Sequence, residues 1–176
     1  MEQPNFSPKI EILGPEQWKD YREIRLRALK TDPTAFGESY EREITKSEQE
    51  TRQKLSNPDY KTYIVRIGNK VAAMAVSSLE KPQHVEHLAK LHSIFTDPDF
   101  RKQGIGSKLL GQVLKDLHQN LITSRVILSV NNEQEVAKEM YKKLGFVQYG
   151  LGTKEMKVDG KYYDMAEMEL IFKDKL

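Results

Sequence analysis

One stretch near the middle of the chain restricts the fold more than any other: Asp97-Pro98-Asp99-Phe100-Arg101-Lys102-Gln103-Gly104-Ile105-Gly106-Ser107. A segment of strand character runs into it and ends at Thr96. Beyond it, Ile105, Leu109, Leu110, Val113, Leu114 and Leu117 keep to one face of a helix. Strand, glycine-rich turn and helix start, in that order, make an anion site. The first N–H groups of a helix have no intrahelical partner and carry the positive end of its dipole, and glycines let a phosphate approach the backbone. Arg101 and Lys102 add side-chain charge. The two commonest phosphate motifs are absent. No Gly-x-x-x-x-Gly-Lys-Ser/Thr string occurs, and the residue three after Gly106 is Leu109, not the glycine of a dinucleotide-binding Gly-x-Gly-x-x-Gly. A plain tight turn and helix start, with no ligand, is the competing reading of Gly104 and Gly106.

The flanking segments supply the rest of an α/β pattern. Lys9 to Leu13 is strand-like, and Pro15 opens a helix with Trp18, Tyr21, Ile24 and Ala28 on one stripe. Thr31 to Tyr40, with Pro33 and Gly37, breaks that helix. Thr45 with Glu48 reads as the capping box of a second, very polar and largely exposed helix ending near Asn57-Pro58. Tyr60 to Ile67 and Lys70 to Leu79 form a hairpin through Gly68-Asn69. Glu86 to Thr96 is then a strand, Ile105 to Gln119 a helix, Arg125 to Val130 a strand and Glu133 to Leu144 a helix. Phe146 to Val158 and Lys161 to Phe172 close the chain as a hairpin on Asp159-Gly160, a dipeptide suited to a type I′ turn. The order is βααβββαβαββ, with parallel pairing in the central β-α-β unit.

With 176 residues, 38% of them apolar, and no linker or repeat, the chain reads as a single domain over residues 1–176. A net charge of +2 on a 31% charged chain is not the basic excess of a nucleic-acid binder. The absence of cysteine excludes disulfides, thiolate metal sites and a cysteine nucleophile. Met1 to Pro8 lacks the apolar run of a signal peptide, and stretches such as Val71 to Val76 are too short to span a bilayer, so a cytoplasmic protein without a membrane role is expected.

Arg101-x-x-Gly104-x-Gly106 after a strand, followed some way on by Ala137-x-x-x-Tyr141-x-x-x-Gly145-Phe146, resembles the GNAT superfamily of acyl-CoA-dependent N-acyltransferases. Arg25-Leu26-Arg27-Ala28-Leu29, Pro33-x-Ala35-Phe36-Gly37 and Ser39-Tyr40-Glu41 are similar to a bacterial group within it. The resemblance implies an α/β (α+β) fold whose mixed sheet of about seven strands splays between the fourth and fifth. Acetyl-CoA, the implied cosubstrate, would lie in that gap. The backbone of Ile94, Phe95 and Thr96 would pair with its pantetheine arm, and Arg101, Lys102, Gln103, Gly104, Ile105, Gly106 and Ser107 would hold its pyrophosphate. Gln134 stands where many members have a cofactor-contacting asparagine, with Asn131 and Asn132 nearby substitutes, and Lys102 stands where glycine is frequent. The implied partners are acetyl-CoA and an amine acceptor, without nucleic acid or membrane, and a homodimer is one assembly it allows.

Amide formation from a thioester needs a neutral amine, a donor for the oxyanion and a proton for the leaving thiolate. At pH 7 only about one in a thousand molecules of an amine of pKa about 10.4 is neutral. A backbone N–H at Ile94 or Phe95 would meet the oxyanion. By the resemblance, Tyr141 would protonate the thiolate, a helix tyrosine packed against the core being the plainer reading. Ser129 stands where some members carry a glutamate base. His92, on the other central strand, is the candidate base, or else a histidine hydrogen-bonded within the sheet. Phe36, Tyr40 and Glu41 fall in the loop and helix region expected to roof the acceptor, a small-molecule or peptide amine; Glu41 is the second candidate base, and Glu38, Glu41 and Glu43 would suit a cationic amine. His84, His87 and His92 lack the spacing of a metal site, and no metal is expected. A module that binds acyl-CoA without turnover is the alternative, and retention of Tyr141 favours the enzyme.

Overall fold

The computed structural model describes residues 7–175; residues 1–6, on which most of the signal-peptide expectation rests, and residue 176 lie outside it. The elements are β1 (Lys9–Ile12), α1 (Trp18–Thr31), α2 (Tyr40–Glu43), α3 (Glu48–Leu55), β2 (Tyr60–Ile67), β3 (Lys70–Leu79), β4 (Leu88–Thr96), α4 (Ile105–Gln119), β5 (Arg125–Asn131), α5 (Glu135–Lys143), β6 (Val147–Val158) and β7 (Lys161–Ile171). The strands form one seven-stranded sheet in the order β1-β2-β3-β4-β5-β7-β6. Every neighbouring pair is antiparallel except β4 and β5.

The expected splay is present. β4 and β5 pair only through Leu88–Lys90 and Arg125–Ile127, after which the strands part. On its other side β4 stays paired to β3, but Ser93 adopts φ 54° and the register jumps from Val76↔His92 to Met74↔Phe95. That bulge turns β4 and leaves Ile94 to Thr96 without a strand neighbour toward β5.

Each face of the sheet has its own apolar cluster. Leu109, Leu110 and Val113 of α4 pack against Ala75, Val126 and Leu128 on one face. On the other, Tyr21, Ile24 and Ala28 of α1 pack against Ile64, Met74 and Val76. Full burial of one such side chain is worth about 1.5–3 kcal/mol, so the two layers clamp the β1–β4 half of the sheet from both sides. No helix among the described residues is long and apolar enough to cross a membrane.

Several boundaries differ from those read from the sequence, each for a local reason. Ser47, not Thr45, caps α3: Ser47 Oγ accepts from the Glu50 amide (3.2 Å) while Glu50 Oε2 accepts from the Ser47 amide (2.7 Å). Thr45 instead donates its hydroxyl to the Arg42 carbonyl (2.8 Å) and closes α2, a helix set on Ser39 and too short to show a periodic pattern in the sequence. α3 is not wholly exposed, since Thr51 and Leu55 are buried. β4 begins at Leu88 because turns through Pro82, Val85 and Leu88 occupy the preceding residues. α5 begins at Glu135, because Asn131 Oδ1 accepts from the Glu133 amide (2.9 Å) in an Asx turn that holds the chain out of the helix.

Candidate active site

A cleft of about 2270 Å³ runs through the splay, walled by β4, α4, β5, α5 and the β6–β7 hairpin and roofed by the segment from α1 to α2. It reaches from the turn before α4, past Ile94–Thr96 and Tyr141, to Arg25, His92 and Glu167.

The turn before α4 is anchored from beneath. Asp97, 3% exposed, accepts from the Asp99 amide (3.0 Å) and pairs with Arg27 Nε at 2.9 Å. Gly104 then takes φ 74° as N-cap, and the first intrahelical bond runs from Lys108 N to Gly104 O at 2.9 Å. The amides of Ile105, Gly106 and Ser107 therefore face the cleft mouth without helical partners. A Cβ on Gly106 would stand 3.1 Å from Thr96 Oγ1 and 3.4 Å from Met140 Sδ, so bare backbone is what fits between strand and helix there. Lys102 sits at φ 61°, the left-handed region that favours glycine, which accounts physically for the frequency of glycine at this place in the resemblance.

Other members of the expected cofactor set are placed less simply. Arg101 donates through Nε to the Thr96 carbonyl (2.8 Å), and its Nη2 pairs with Asp32, so its charge bridges the cleft mouth to the loop after α1. Gln103 bonds back to the Asp99 carbonyl (3.2 Å) and does not line the cleft. Asn132 is also drawn away, since its Oδ1 accepts from Lys138 Nζ at 3.1 Å, whereas Gln134 and the preceding Asn131 do line the cleft. The Gln103 and Asn132 side chains thus have protein partners outside the cleft lining.

Tyr141, 5% exposed, projects from α5 into the cleft beside Phe146. Burial raises its pKa, so the phenol keeps its proton throughout the neutral range and stays a donor.

At the acceptor end, Arg25 of α1 is 6% exposed, donates through Nη1 to Ser93 Oγ at the bulge (3.0 Å), lies over the Phe36 ring (4.9 Å) and pairs with Glu43 at 3.6 Å. Phe36 is thus mainly a platform for Arg25, while Tyr40 and Glu41 line the roof. His92 Nδ1 lies 3.2 Å from Ser93 Oγ, and its ring packs on Tyr60. Burial, followed by the nearby Lys54, Arg25 and Lys90 cations, lowers the His92 pKa to about 4. At neutral pH the imidazole is uncharged, and its surroundings oppose both protonation and the approach of an ammonium. The neutral imidazole keeps a free lone pair, while the cations around it disfavour a charged amine at this point of the cleft. Behind it, Lys54 donates to the Tyr21 hydroxyl (2.7 Å), and burial pulls the Lys54 pKa down to about 8 and pushes that of Tyr21 up to about 12.

Two residues of this end, Arg25 and Glu167, are not predicted as site residues by the sequence. Arg25 lies next to the apolar stripe of α1, where an arginine among buried positions is the available signal. Glu43, one of the acidic residues expected to suit a cationic acceptor, is instead buried in α2 and paired with Arg25. Glu167 lies far along the chain and joins the cleft only through strand pairing, opposite Ser129.

The model of the Acetyltransferase (GNAT) family matches residues 18–146, from the start of α1 to the end of the α5 motif. The chain belongs to the GNAT acetyltransferase family. An uncharacterised N-acetyltransferase of Methanocaldococcus jannaschii is 38% identical over 72 residues, 40% of this chain and 29% of that protein's length. The acetyltransferase of GNAT family from Streptococcus pneumoniae superposes with a TM-score of 0.83 at 19% identity, covering 94% of this chain and 99% of that one. The ribosomal-protein-S18-alanine N-acetyltransferase of Escherichia coli superposes with a TM-score of 0.72 at 20% identity, covering 94% of each chain. These two solved structures share the fold of the chain.

Proposed function

We propose that the protein transfers the acetyl group of acetyl-CoA to a primary amine by direct attack, in the cytoplasm, on a small-molecule or peptide acceptor. The observation that carries this reading is the parting of β4 and β5 after three residue pairs, directly above a helix start that presents free amides. The unpaired edge at Ile94–Thr96 offers N–H and C=O groups to an amide-bearing pantetheine arm as an added strand would. The start of α4 with Lys102 would take the pyrophosphate, with Arg101 available once it leaves Asp32. Gln134 and Asn131 line the far wall.

An amine held at the bulge attacks the thioester carbonyl. The oxyanion would meet a backbone N–H at Ile94 or Phe95, a type of donor worth about 3–4 kcal/mol in other enzymes. As the C–S bond breaks, Tyr141 gives its proton to the thiolate. Retention of this buried donor inside the cleft supports turnover rather than binding alone.

The test is thiol release from acetyl-CoA across a panel of primary amines, alongside calorimetry of acetyl-CoA binding. Amine-dependent release is expected. Binding without release for any amine would leave a non-catalytic acyl-CoA module, and no binding would remove both readings.

A further inference from the structure

Glu167 of β7 presents a problem that the family resemblance does not answer. Its Oε1 is buried and has no hydrogen-bond partner among the described residues, although the side chain lines the cleft. A carboxylate oxygen out of water and without a donor costs on the order of 1–3 kcal/mol or more, so a fold keeps one where something else supplies the donor.

Strand register places this carboxylate. On β7, Ala166 and Met168 are fully buried against the α4 side, so Glu167 points from the opposite face. Val126, Leu128 and Val130 of β5 likewise face α4, which puts Ser129 on Glu167's face, and Ser129 is the residue paired with it. On β4, Ala89 and Leu91 face α4, so Lys90 and His92 share that same outer face across the splay. The row is therefore His92, the gap, Ser129 and Glu167, with Glu167 one strand spacing, about 5 Å, beyond Ser129. Opposite Glu167, β6 carries Gly150, where a Cβ would come to 3.4 Å of the Glu167 Cβ and 3.7 Å of its Cγ, ordinary contact distances.

The charges divide along that row. Lys90, Arg25 and Lys54 surround His92 on the β4 side, while Glu167, with Glu155 of β6, lies on the β7 side. The other acid on Glu167's face of β7, Glu169, is already held by Arg125 Nε at 2.6 Å. Lys157 and Asp159 of the β6–β7 hairpin line the same reach of cleft.

We infer that Glu167 receives the acceptor's ammonium group and takes the proton that frees the amine to attack. The inference rests on the acetyl-transfer reading above and names a residue for it. An incoming R–NH3+ supplies the donor that Oε1 lacks. Moving one proton to the carboxylate neutralises both partners, a change that a water-poor site favours. The nitrogen lone pair then forms the C–N bond as the C–S bond breaks. The nitrogen sheds a second proton on becoming an amide, which replaces the one Tyr141 gave to the thiolate, and the proton on Glu167 returns to solvent. The serine at position 129 takes no part in this transfer; it leaves space for the carboxylate of the neighbouring strand.

The experiment compares the wild-type protein with Glu167→Gln and Glu169→Gln. Calorimetry should show acetyl-CoA affinity unchanged within about twofold in both, which establishes that the cleft is intact. Turnover with the best amine of a panel containing benzylamine, glycinamide and spermidine should fall by about 10²-fold or more in Glu167→Gln. It should stay within about twofold in Glu169→Gln. The residual rate of Glu167→Gln should follow the fraction of free amine as pH rises, without the acid limb of the parent profile. Wild-type turnover in Glu167→Gln, or an unchanged pH profile, overturns the inference. If the wild-type protein acetylates none of these amines, the proposed function fails separately. The same amines titrated into the CoA complex then decide: binding weakened tenfold or more by Glu167→Gln upholds the ammonium site, and absent or unaffected binding overturns it.

Discussion

Three side chains carry most of what can be tested one residue at a time. Tyr141 is buried in the cleft with its proton firmly held, so Tyr141→Phe removes a donor while leaving the ring in place. A kcat lower by about 10²- to 10⁴-fold, with little change in acetyl-CoA affinity, is expected. Parent-rate turnover with chemistry rate-limiting would make the tyrosine a packing residue. Lys102 occupies a left-handed backbone position at φ 61°. That conformation costs a residue with a Cβ about 1–2 kcal/mol, and glycine gives back about 0.5–1 in chain entropy, so Lys102→Gly should raise stability by about 0.5–1 kcal/mol. A urea titration that shows no gain would place the strain elsewhere. His92 makes a pH-dependent contribution. Its folded pKa of about 4 lies below the ordinary value of 6.5, so between those values the unfolded chain binds the proton more readily. The contribution is complete above pH 6.5 and is lost as pH falls to 4, amounting to about 3 kcal/mol. Carboxylates titrate in the same window, so the measurement is the difference between the parent and His92→Gln. Parallel stability curves for the two would show that His92 is not held neutral by the fold.

At the level of elements, the start of α4 is the most exposed to challenge. Gly104 and Gly106 look equivalent as letters, yet space around them differs. A Cβ on Gly104 meets nothing within 4 Å and suffers only from φ 74°, while a Cβ on Gly106 presses on Thr96 and Met140. Gly104→Ala should therefore cost stability of about 1 kcal/mol with modest loss of acetyl-CoA affinity. Gly106→Ala should weaken binding more, because it wedges the helix start from β4 where the cofactor passes. Equal affinity losses would count against this placement of the cleft. The difference also shows what could be read from the chain. Periodicity revealed α1, α4 and the hairpins, because long amphipathic stretches repeat their signal. Thr45-Lys46-Ser47-Glu48-Gln49-Glu50 contains two overlapping capping boxes, and only the reach of the Glu50 carboxylate decides for Ser47. The glycine turn and Tyr141 were legible because they are local motifs. Glu167 and the Asp97–Arg27 pair were not, since each gains its meaning from residues distant in sequence. For Asn132 and Gln103, as for Glu43, the sequence gives the residue type and not the partner that holds its side chain.

For the molecule as a whole, ligand binding should register as stability. A cosubstrate that binds the folded chain only, at about 100 times its Kd, adds about 2.7 kcal/mol. In a chain of this length that corresponds to a rise in melting temperature on the order of 5–10 °C. Acetyl-CoA should produce such a rise in a thermal melt, and a melt unmoved at millimolar acetyl-CoA would count against a site in the splay. The parted strands have a further consequence. A seven-stranded sheet ordinarily has two free margins, and this one has four, two of them facing each other in its interior. A free margin is a template on which foreign chains polymerise, and proteins commonly blunt it with charge or proline. Here α4, α5 and the β6–β7 hairpin flank the inner pair. An acyl-CoA seated in the proposed way would cap that pair's free N–H and C=O groups, so the ligand that reacts there would also keep the seam from pairing with a foreign strand.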